Sequence, residues 1–249
     1  HELRTPMNAI LGFSQLLITS PDEKLSERQE NFTAQIMKGG EHLLELIDQV
    51  LELSKIEAGK ISLSIETVDV EPIIAECIAM LKGRAETADV SLVDKVAGIG
   101  LPYLKTDSGR LRQIMLNLLT NAIKYNCKDG FVTVASENLE NGFLRLIVGD
   151  TGLGVPIEKQ DTIFEPFNRL GRESGEIEGT GIGLTITRQF VELLGGNISF
   201  TSEEGKGSRF WIDLPIDTDR KQDDALEFDH LEDRGLCLTS APMAPINRI

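Results

Sequence analysis

The first 58 residues carry apolar side chains at a helical spacing. Within residues 3–17 these side chains recur in steps of four and three residues, and the same steps run through residues 32–53. This heptad pattern is typical of packed helices in bundles and coiled coils. The polar turn at residues 20–22 separates the two runs. We therefore expect a helical hairpin over residues 1–58, and Gly59 indicates where its second helix ends.

The apolar face of this hairpin is wider than a contact between two helices requires. It includes further apolar positions beside the heptad positions, namely Phe13, Leu16, Leu44, Ile47 and Leu51. A single hairpin cannot bury so broad a face. We expect two hairpins to pair as a homodimer in a four-helix bundle. The alternative is a hairpin that packs against the second domain of its own chain.

From residue 61 the pattern changes to a mixture of strands and helices. Residues 61–65 alternate as in a strand, and further strands are predicted at residues 131–136, 144–150, 198–202 and 209–214. Helices are predicted over residues 69–88, 108–125 and 183–194. This order indicates a sheet that is covered on one face by helices. The predicted fold class is α+β, with the helical hairpin followed by an α/β sandwich over residues 61–216.

Composition and charge narrow the possible partners. Residues 217–249 are polar and acidic, and we expect a solvated tail. The net charge of -15 argues against nucleic acid or an anionic membrane as the main partner. The three cysteines are far apart and lack metal-ligand spacing, which indicates reduced thiols in a cytoplasmic protein.

The N-terminal residues indicate a piece of a longer protein. Residues 1–4 lie within a helical pattern that has no N-cap ahead of it. We expect an upstream sensor domain to be missing from this fragment. No stretch approaches the roughly 20 apolar residues that span a bilayer, so the fragment is expected to be cytoplasmic and its parent either soluble or membrane-anchored.

Three polar side chains share one face of the helix predicted at residues 108–125. Asn117, Asn121 and Lys124 are spaced i, i+4 and i+7. Two carboxamides and an ammonium can together hold a hydrated cation and a phosphate, and Mg²⁺ suits such a site because it keeps several waters. A solvated polar helix face is the alternative.

Two glycine-containing loops are candidates for nucleotide contacts. Asp150 ends a predicted strand and precedes Gly152 and Gly154, so its carboxylate can accept a hydrogen bond from an exocyclic amine; an ordinary Asp-containing turn is the alternative. Residues 179–184 lead directly into a helix, whose N-terminus favours phosphate. The polar segment 168–178 fits either a lid over a nucleotide or a plain surface loop.

Five motifs, in order, resemble those of the histidine kinases of two-component signalling. They are the H box at residues 1–6, the N box at 117–125, the G1 box at 150–154, the F box at 164–167 and the G2 box at 179–184. The resemblance implies a Bergerat-type ATP-binding domain, shared in outline with gyrase, MutL and heat-shock chaperone ATPases. It also implies that the terminal phosphoryl group of Mg-ATP moves to a histidine and then to an aspartate of a response regulator.

The resemblance assigns a role to each matching residue. His1 would accept the phosphoryl group, and Glu2 would orient its imidazole or remove its proton. Thr5 would help to place a water that dephosphorylates the response regulator, or would be a helix residue without a catalytic role. Asn121 would bind Mg²⁺, with Asn117 in a supporting role.

The remaining matching residues would contact ATP. The resemblance places Lys124 at the phosphates, Tyr125 in the wall of the site, Asp150 at the adenine amine, Gly152 and Gly154 in the adenine loop, and Gly179, Thr180, Gly181, Gly183 and Leu184 in the loop that admits the phosphates. Arg169 is the candidate for contact with the terminal phosphate, and Arg172 competes with it.

Two other functions remain open. An ATPase of the gyrase and chaperone type would drive a conformational clamp without becoming covalently phosphorylated. A dimerisation scaffold would bind nucleotide without chemistry. His42 and His230 carry no motif, so we expect neither to take part in catalysis.

Overall fold

The chain folds as a helical hairpin followed by a sheet that helices cover on one face. The computed structural model describes residues 2–20, 24–168 and 179–218. The hairpin consists of α1, Arg4–Thr19, and α2, Glu27–Glu57. A capping box starts α2: the Ser26 hydroxyl accepts from the Gln29 amide at 3.4 Å, and Gln29 Oε1 accepts from the Ser26 amide at 2.9 Å.

The two hairpin helices pack through small residues. Ser14, Thr33 and Gly40 are buried between them, and a Cβ at Gly40 would lie 2.8 Å from the Leu11 side chain. Large apolar side chains remain exposed on the single chain, including Leu3, Ile10, Phe13, Leu16, Leu17, Phe32, Ile36, Leu43 and Val50. Most of the predicted heptad positions of α2 therefore lie away from α1.

The second unit contains seven strands and four helices among the described residues. In chain order they are β1 Glu66–Val68, α3 Val70–Thr87, β2 Ser91–Asp94, β3 Leu104–Thr106, α4 Ser108–Lys124, β4 Phe131–Asn138, β5 Phe143–Asp150, α5 Ile157–Gln160, α6 Gly183–Leu193, β6 Asn197–Glu203 and β7 Gly207–Pro215.

Five of these strands form the main sheet, in the order β2-β4-β5-β7-β6. Strand β2 runs parallel to β4, and the other neighbours are antiparallel. The core lies between one face of the sheet and α3, α4 and α6, and it contains Met115, Leu146, Phe190 and Ile212. Leu53 of α2 joins the same core. The predicted α+β fold class is confirmed.

The strand predicted at residues 61–65 is wrong. The first strand comes later, at Glu66–Val68, where it pairs with β3 in a separate two-stranded sheet. The amide of Ser64 donates to Asp107 Oδ2 at 2.8 Å instead of to a neighbouring strand. Ile61 and Leu63 are partly buried against the core, and this packing explains their alternation without a strand.

The folded unit extends past residue 216, into the start of the predicted tail. Asp217, its first residue, is 5% exposed. The Asp217 carboxylate accepts from the Thr67 hydroxyl at 2.5 Å and lies 3.8 Å from Lys105 Nζ. Asp217 therefore belongs to the folded unit.

Several predictions fall outside the described residues. These are the phosphoacceptor His1, the turn at residues 21–22, the arginines Arg169 and Arg172 with most of the possible lid, and the tail from residue 219. Among the helices that the structure describes, none is long and apolar enough to cross a membrane.

Candidate functional site

A cavity of about 170 Å³ lies where α4, the loop after β5 and the start of α6 meet. Most of the nucleotide-contacting residues predicted from the motifs line it: Asn117, Asn121, Lys124, Tyr125, Asp150, Gly154, Gly179, Thr180, Gly181, Gly183 and Leu184. The structure thus brings together residues that are up to 67 positions apart in the chain, from Asn117 to Leu184.

Helix α4 supplies the polar wall of the cavity. Asp107 caps the helix by accepting from the Arg110 amide at 2.9 Å. The apolar stripe of α4 is buried in the core, so the stripe of Asn117, Asn121 and Lys124 faces the cavity. Lys124 Nζ lies 5.0 Å from the centre of the Tyr125 ring. Two carboxamides and an ammonium group therefore share one wall.

Asp150, the last residue of β5, is half-buried and also lines the cavity. Its Oδ1 accepts from the amide of Gly152 at 2.8 Å and from the amide of Ser208 at 3.2 Å. Burial raises the pKa of the Asp150 carboxyl, while the two backbone hydrogen bonds act in the opposite direction. Because both backbone donors use Oδ1, Oδ2 is available to a donor on a ligand.

The loop after Asp150 passes against the end of α4. The Leu153 amide donates to the Tyr125 carbonyl oxygen at 3.0 Å. A Cβ at Gly152 would collide with the same carbonyl oxygen. Gly152 does not line the cavity, so its absence of a side chain serves the close approach of this loop to α4.

The N-terminus of α6 forms the glycine-lined side of the cavity. The helix begins at Gly183, has no side-chain cap, and has no acidic residue in its first turn. The first N–H groups of an α-helix have no partner within the helix, and they carry a partial positive charge. A Cβ at Gly183 would lie 2.5 Å from Asn117 Oδ1, so any larger residue here would displace the Asn117 side chain or the start of α6.

An apolar slot adjoins Asp150. Val155 and Ile163 are buried and line it together with Phe210. The Phe210 ring stacks on Phe200 at a centroid distance of 5.2 Å. Apolar side chains next to the half-buried Asp150 carboxylate suit a flat heterocycle that carries an amino group.

Helix α2 of the hairpin also contributes to the cavity, which the sequence did not predict. Gln49 and Glu45 line it. The hydroxyl of Thr180 donates to Gln49 Oε1, and Gln49 Nε2 donates to Glu45 Oε1 at 3.1 Å. The i, i+4 spacing of the two residues was visible in the sequence, but only the packing of α2 against the sheet domain shows what they face.

Two further contacts were also missed. Thr187 of α6 is 2% exposed and accepts a hydrogen bond from Asn117 Nδ2 at 2.6 Å. The Ser208 amide reaches Asp150 because β7 pairs with β5. Neither residue stands in a motif that signals a ligand, so no signal in the sequence could have identified them.

Two predicted site residues of the H box that the structure describes lie apart from this cavity. Glu2 and Thr5 are exposed on the hairpin and do not line the cavity. His1 and Arg169 lie outside the described residues. Within the described residues, no group of three or more His, Cys, Asp or Glu side chains could hold a metal ion.

Two family matches cover most of the chain. Residues 1–59 match the His Kinase A (phospho-acceptor) domain. Residues 106–218 match the histidine kinase-, DNA gyrase B- and HSP90-like ATPase family. The two matches follow one another in the same order as the hairpin and the sheet domain.

Curated relatives and solved structures agree with these matches. An uncharacterized sensor-like histidine kinase of Rhizobium meliloti is 39% identical over 87% of this chain and 41% of its own length. The histidine protein kinase DivJ of Caulobacter vibrioides is 36% identical over 87% of this chain and 36% of its own length. This chain therefore spans about two fifths of these relatives.

Two solved structures share the fold. Full-length ShkA in complex with AMPPNP is 32% identical, with a TM-score of 0.72, over 87% of this chain and 44% of that chain. The histidine kinase AdeS of Acinetobacter baumannii is 24% identical, with a TM-score of 0.60, over 88% of this chain and 98% of that chain.

Proposed function

Because the chain belongs to the histidine kinases of two-component signal transduction, we propose that it is a protein histidine kinase core. It transfers the terminal phosphoryl group of Mg-ATP to His1, and His1 passes that group to an aspartate of a response regulator. The observation that carries this proposal is the cavity that joins the α4 carboxamides, Asp150 and the N-terminus of α6. The relative ShkA, whose structure contains the ATP analogue AMPPNP, supports the choice of nucleotide.

The lining of the cavity has groups suited both to the adenine and to the phosphates of ATP. Asp150 Oδ2 accepts from the adenine amine, and the apolar slot around Phe210 encloses the adenine ring. Lys124 and the N–H groups at the start of α6 bind the phosphates, because the ammonium carries a full positive charge and the N–H groups carry partial positive charges. Tyr125, Gly179 and Gly181 complete the lining.

The donors on α4 fit a hydrated Mg²⁺ that arrives with the nucleotide. Asn121 would hold the cation through its carboxamide oxygen, and Asn117 would support it directly or through water. When bound, Mg²⁺ would supply positive charge against the charge that develops on the phosphates during transfer. Few protein ligands are needed, since Mg²⁺ keeps several waters and takes phosphate oxygens.

Transfer of the phosphoryl group to His1 uses the ordinary nucleophilicity of a neutral imidazole. A neutral ring nitrogen of His1 attacks the terminal phosphorus, the bond to the bridging oxygen of ADP breaks, and a phosphoramidate forms. The ring loses its other N–H proton as the bond forms, and Glu2 accepts or orients that proton. Imidazole is largely neutral near physiological pH and therefore nucleophilic. Arg169 or Arg172 supplies a cation at the terminal phosphate.

Homodimerisation covers the exposed apolar face of the hairpin. Phe13, Phe32 and Ile36 are 69%, 55% and 52% exposed on the single chain. A contiguous face of this kind on two helices is buried when two hairpins form a four-helix bundle. Between α1 and α2 themselves, the buried residues include Ser14, Thr33 and Gly40, and Gly40 packs against Leu11.

The remaining assignments follow from the family. Thr5 places a water for dephosphorylation of the response regulator. The chain divides into a phosphotransfer hairpin at residues 1–58, an ATP-binding domain from residue 61, and an acidic tail beyond the folded unit. An upstream sensor domain controls the kinase in the longer protein.

Labelling with the terminal phosphate of ATP tests this function. The chain is expected to incorporate acid-labile label in the presence of Mg²⁺, and Asn121→Ala is expected to abolish incorporation. The matched control is Asn8→Ala, because Asn8 is on the exposed surface of α1, whereas a residue such as Gln49 lines the cavity. ATP hydrolysis without covalent label would support the clamp ATPase instead, and tight binding without hydrolysis or label would support the scaffold.

A further inference from the structure

Thr187 lies in the second turn of α6 and is almost completely buried. Its Oγ1 accepts a hydrogen bond from Asn117 Nδ2 at 2.6 Å. Asn117 lines the cavity, whereas Thr187 does not. Any effect of Thr187 on a bound nucleotide therefore passes through another group, and Asn117 is the group that its hydroxyl contacts.

Helix α6 constrains both ends of the Asn117 carboxamide. The nitrogen end is held by Thr187, and the oxygen end lies against Gly183, where a Cβ would be 2.5 Å from Oδ1. Thr187 and Gly183 are one helical turn apart on the same helix, so they lie on the same face of α6. The carboxamide is thus fixed between two points of one rigid element.

In this arrangement the oxygen of the Asn117 carboxamide is the end left for the site. A carboxamide offers an acceptor oxygen and a donor nitrogen, and a cation or its water shell requires the oxygen. With Nδ2 engaged by Thr187, Oδ1 is the atom left for that role. A free carboxamide would instead exchange its two ends by rotation about its terminal torsion.

We propose that Thr187 is a positioning residue that presents the oxygen of Asn117 to the Mg-nucleotide. This inference rests on the proposed function and adds a residue outside all five motifs. Removing the hydroxyl leaves Nδ2 without its partner and releases the carboxamide. Loss of such outer partners commonly lowers metal affinity or activity about 10- to 100-fold.

A double-mutant cycle separates this role from a purely structural one. The variants are Thr187→Val, which keeps the volume and removes the hydroxyl, Asn117→Ala, and the two combined. The affinity for AMPPNP is measured by calorimetry across a series of Mg²⁺ concentrations, and thermal denaturation of each variant checks its fold. Thr187→Ser is the conservative rescue because it restores the hydroxyl.

The proposal predicts a specific pattern. Thr187→Val should weaken Mg-dependent binding of AMPPNP about tenfold and raise the Mg²⁺ concentration required for that binding. Thr187→Ser should keep most of the wild-type affinity. In the Asn117→Ala background, Thr187→Val should cause little further loss of affinity. Thr185→Val is the matched control: Thr185 is a buried α6 threonine whose hydroxyl donates to the Phe164 carbonyl at 2.9 Å. The effects of Thr185→Val and Asn117→Ala on the affinity for AMPPNP should be additive.

Other results would overturn the proposal. One such result is an equal effect of Thr187→Val with and without Asn117. Another is a lower thermal midpoint with unchanged nucleotide affinity and Mg²⁺ dependence. Either outcome would make Thr187 a structural residue only. The wild-type titration tests the proposed function separately. A wild-type chain that binds no nucleotide would overturn that function, whereas binding with an additive cycle would overturn the role of Thr187 alone.

Discussion

The guanidinium of Arg110 donates to the carboxylate of Glu52 at 2.6 Å and joins the hairpin to the sheet domain. Gln113 donates to the other oxygen of Glu52 at 2.7 Å, so one carboxylate of α2 binds two residues of α4. Arg110 also lies over the Phe190 ring, 4.5 Å from its centre. These contacts place α2 beside the helix that carries the polar wall of the cavity.

Replacement of Glu52 by Ala should weaken this junction. The two charged side chains are 27% and 23% exposed, so solvent screens their attraction, and we expect a loss of about 1 kcal/mol in the free energy of unfolding. Chemical denaturation measures this loss, and limited proteolysis between residues 57 and 66 should become faster. Glu57→Ala, on the exposed end of α2, is the control. Equal losses in both variants would show that the Glu52 contacts contribute nothing.

Replacement of Glu45 by Gln should strengthen ATP binding. The Glu45 carboxylate lines the cavity from α2, and its negative charge repels the phosphates of a bound nucleotide. The gain should be roughly threefold, larger for ATP than for ADP, and smaller at high salt, as expected for a screened interaction. Glu41→Gln, one turn earlier and exposed, is the control. Weaker binding by Glu45→Gln would mean that the carboxylate assists the nucleotide.

Replacement of Asp150 by Asn should separate binding from stability. Burial raises the pKa of the folded carboxyl above its ordinary value, so its contribution to stability is complete at low pH and is lost as the pH rises through the folded pKa. At neutral pH the variant should therefore be at least as stable as the wild type, because Asn Oδ1 still accepts from Gly152 and Ser208.

The same variant should bind adenine nucleotides about tenfold more weakly, since a charge-assisted hydrogen bond is replaced by a neutral one. In the wild type, ADP affinity should fall on acidification as the Asp150 carboxylate becomes protonated, and this pH dependence should be reduced in Asp150→Asn. Calorimetry over a pH series gives the affinities, and thermal denaturation gives the stabilities. Unchanged affinity with a lower thermal midpoint would contradict the assignment of Asp150 to adenine.

Replacement of Gly183 by Ala should damage the site but not the fold. The new Cβ would meet Asn117 Oδ1 at 2.5 Å, so either Asn117 or the start of α6 must shift. We expect nucleotide affinity to fall by about tenfold or more, a loss of the size seen when a group that supports a metal ligand is removed.

Gly83→Ala provides the matched control for this substitution. Gly83 lies within α3, and a Cβ there would contact nothing within 4 Å. This variant should keep its nucleotide affinity and gain about 0.5–1 kcal/mol in stability, because Ala favours the helix. Similar affinities for both variants would show that the close approach at Gly183 does not matter for binding.

The sequence predicted the long elements well and the short ones poorly. Helix α4 was predicted at residues 108–125 and runs Ser108–Lys124, because a capping residue precedes a long periodic segment. The strands β2 and β3 were missed, since four and three residues are too few to show a period. The strand predicted at residues 61–65 was wrong because alternation shows a buried side but not a pairing partner.

The motifs predicted which residues would come together, and they gave no signal where tertiary packing decides the contacts. Asn117, Asn121 and Asp150 were predicted to serve one site, and the structure places all three around one cavity. The contributions of Gln49 and Thr187 depend on how α2 and α6 pack against α4. No local pattern reports such packing, so these residues could not have been found from the sequence.

The position of the phosphoryl group after reaction with Mg-ATP tests the central claim most directly. The chain contains three histidines, His1, His42 and His230, and only His1 stands in a motif. Peptide mass spectrometry under neutral conditions, which preserve a phosphoramidate, should locate the group on His1 and find none in the His1→Gln variant. Phosphorylation of His42 or His230 at the same level in wild type and variant would contradict the account, as would an unmodified chain that binds Mg-ATP as a dimer.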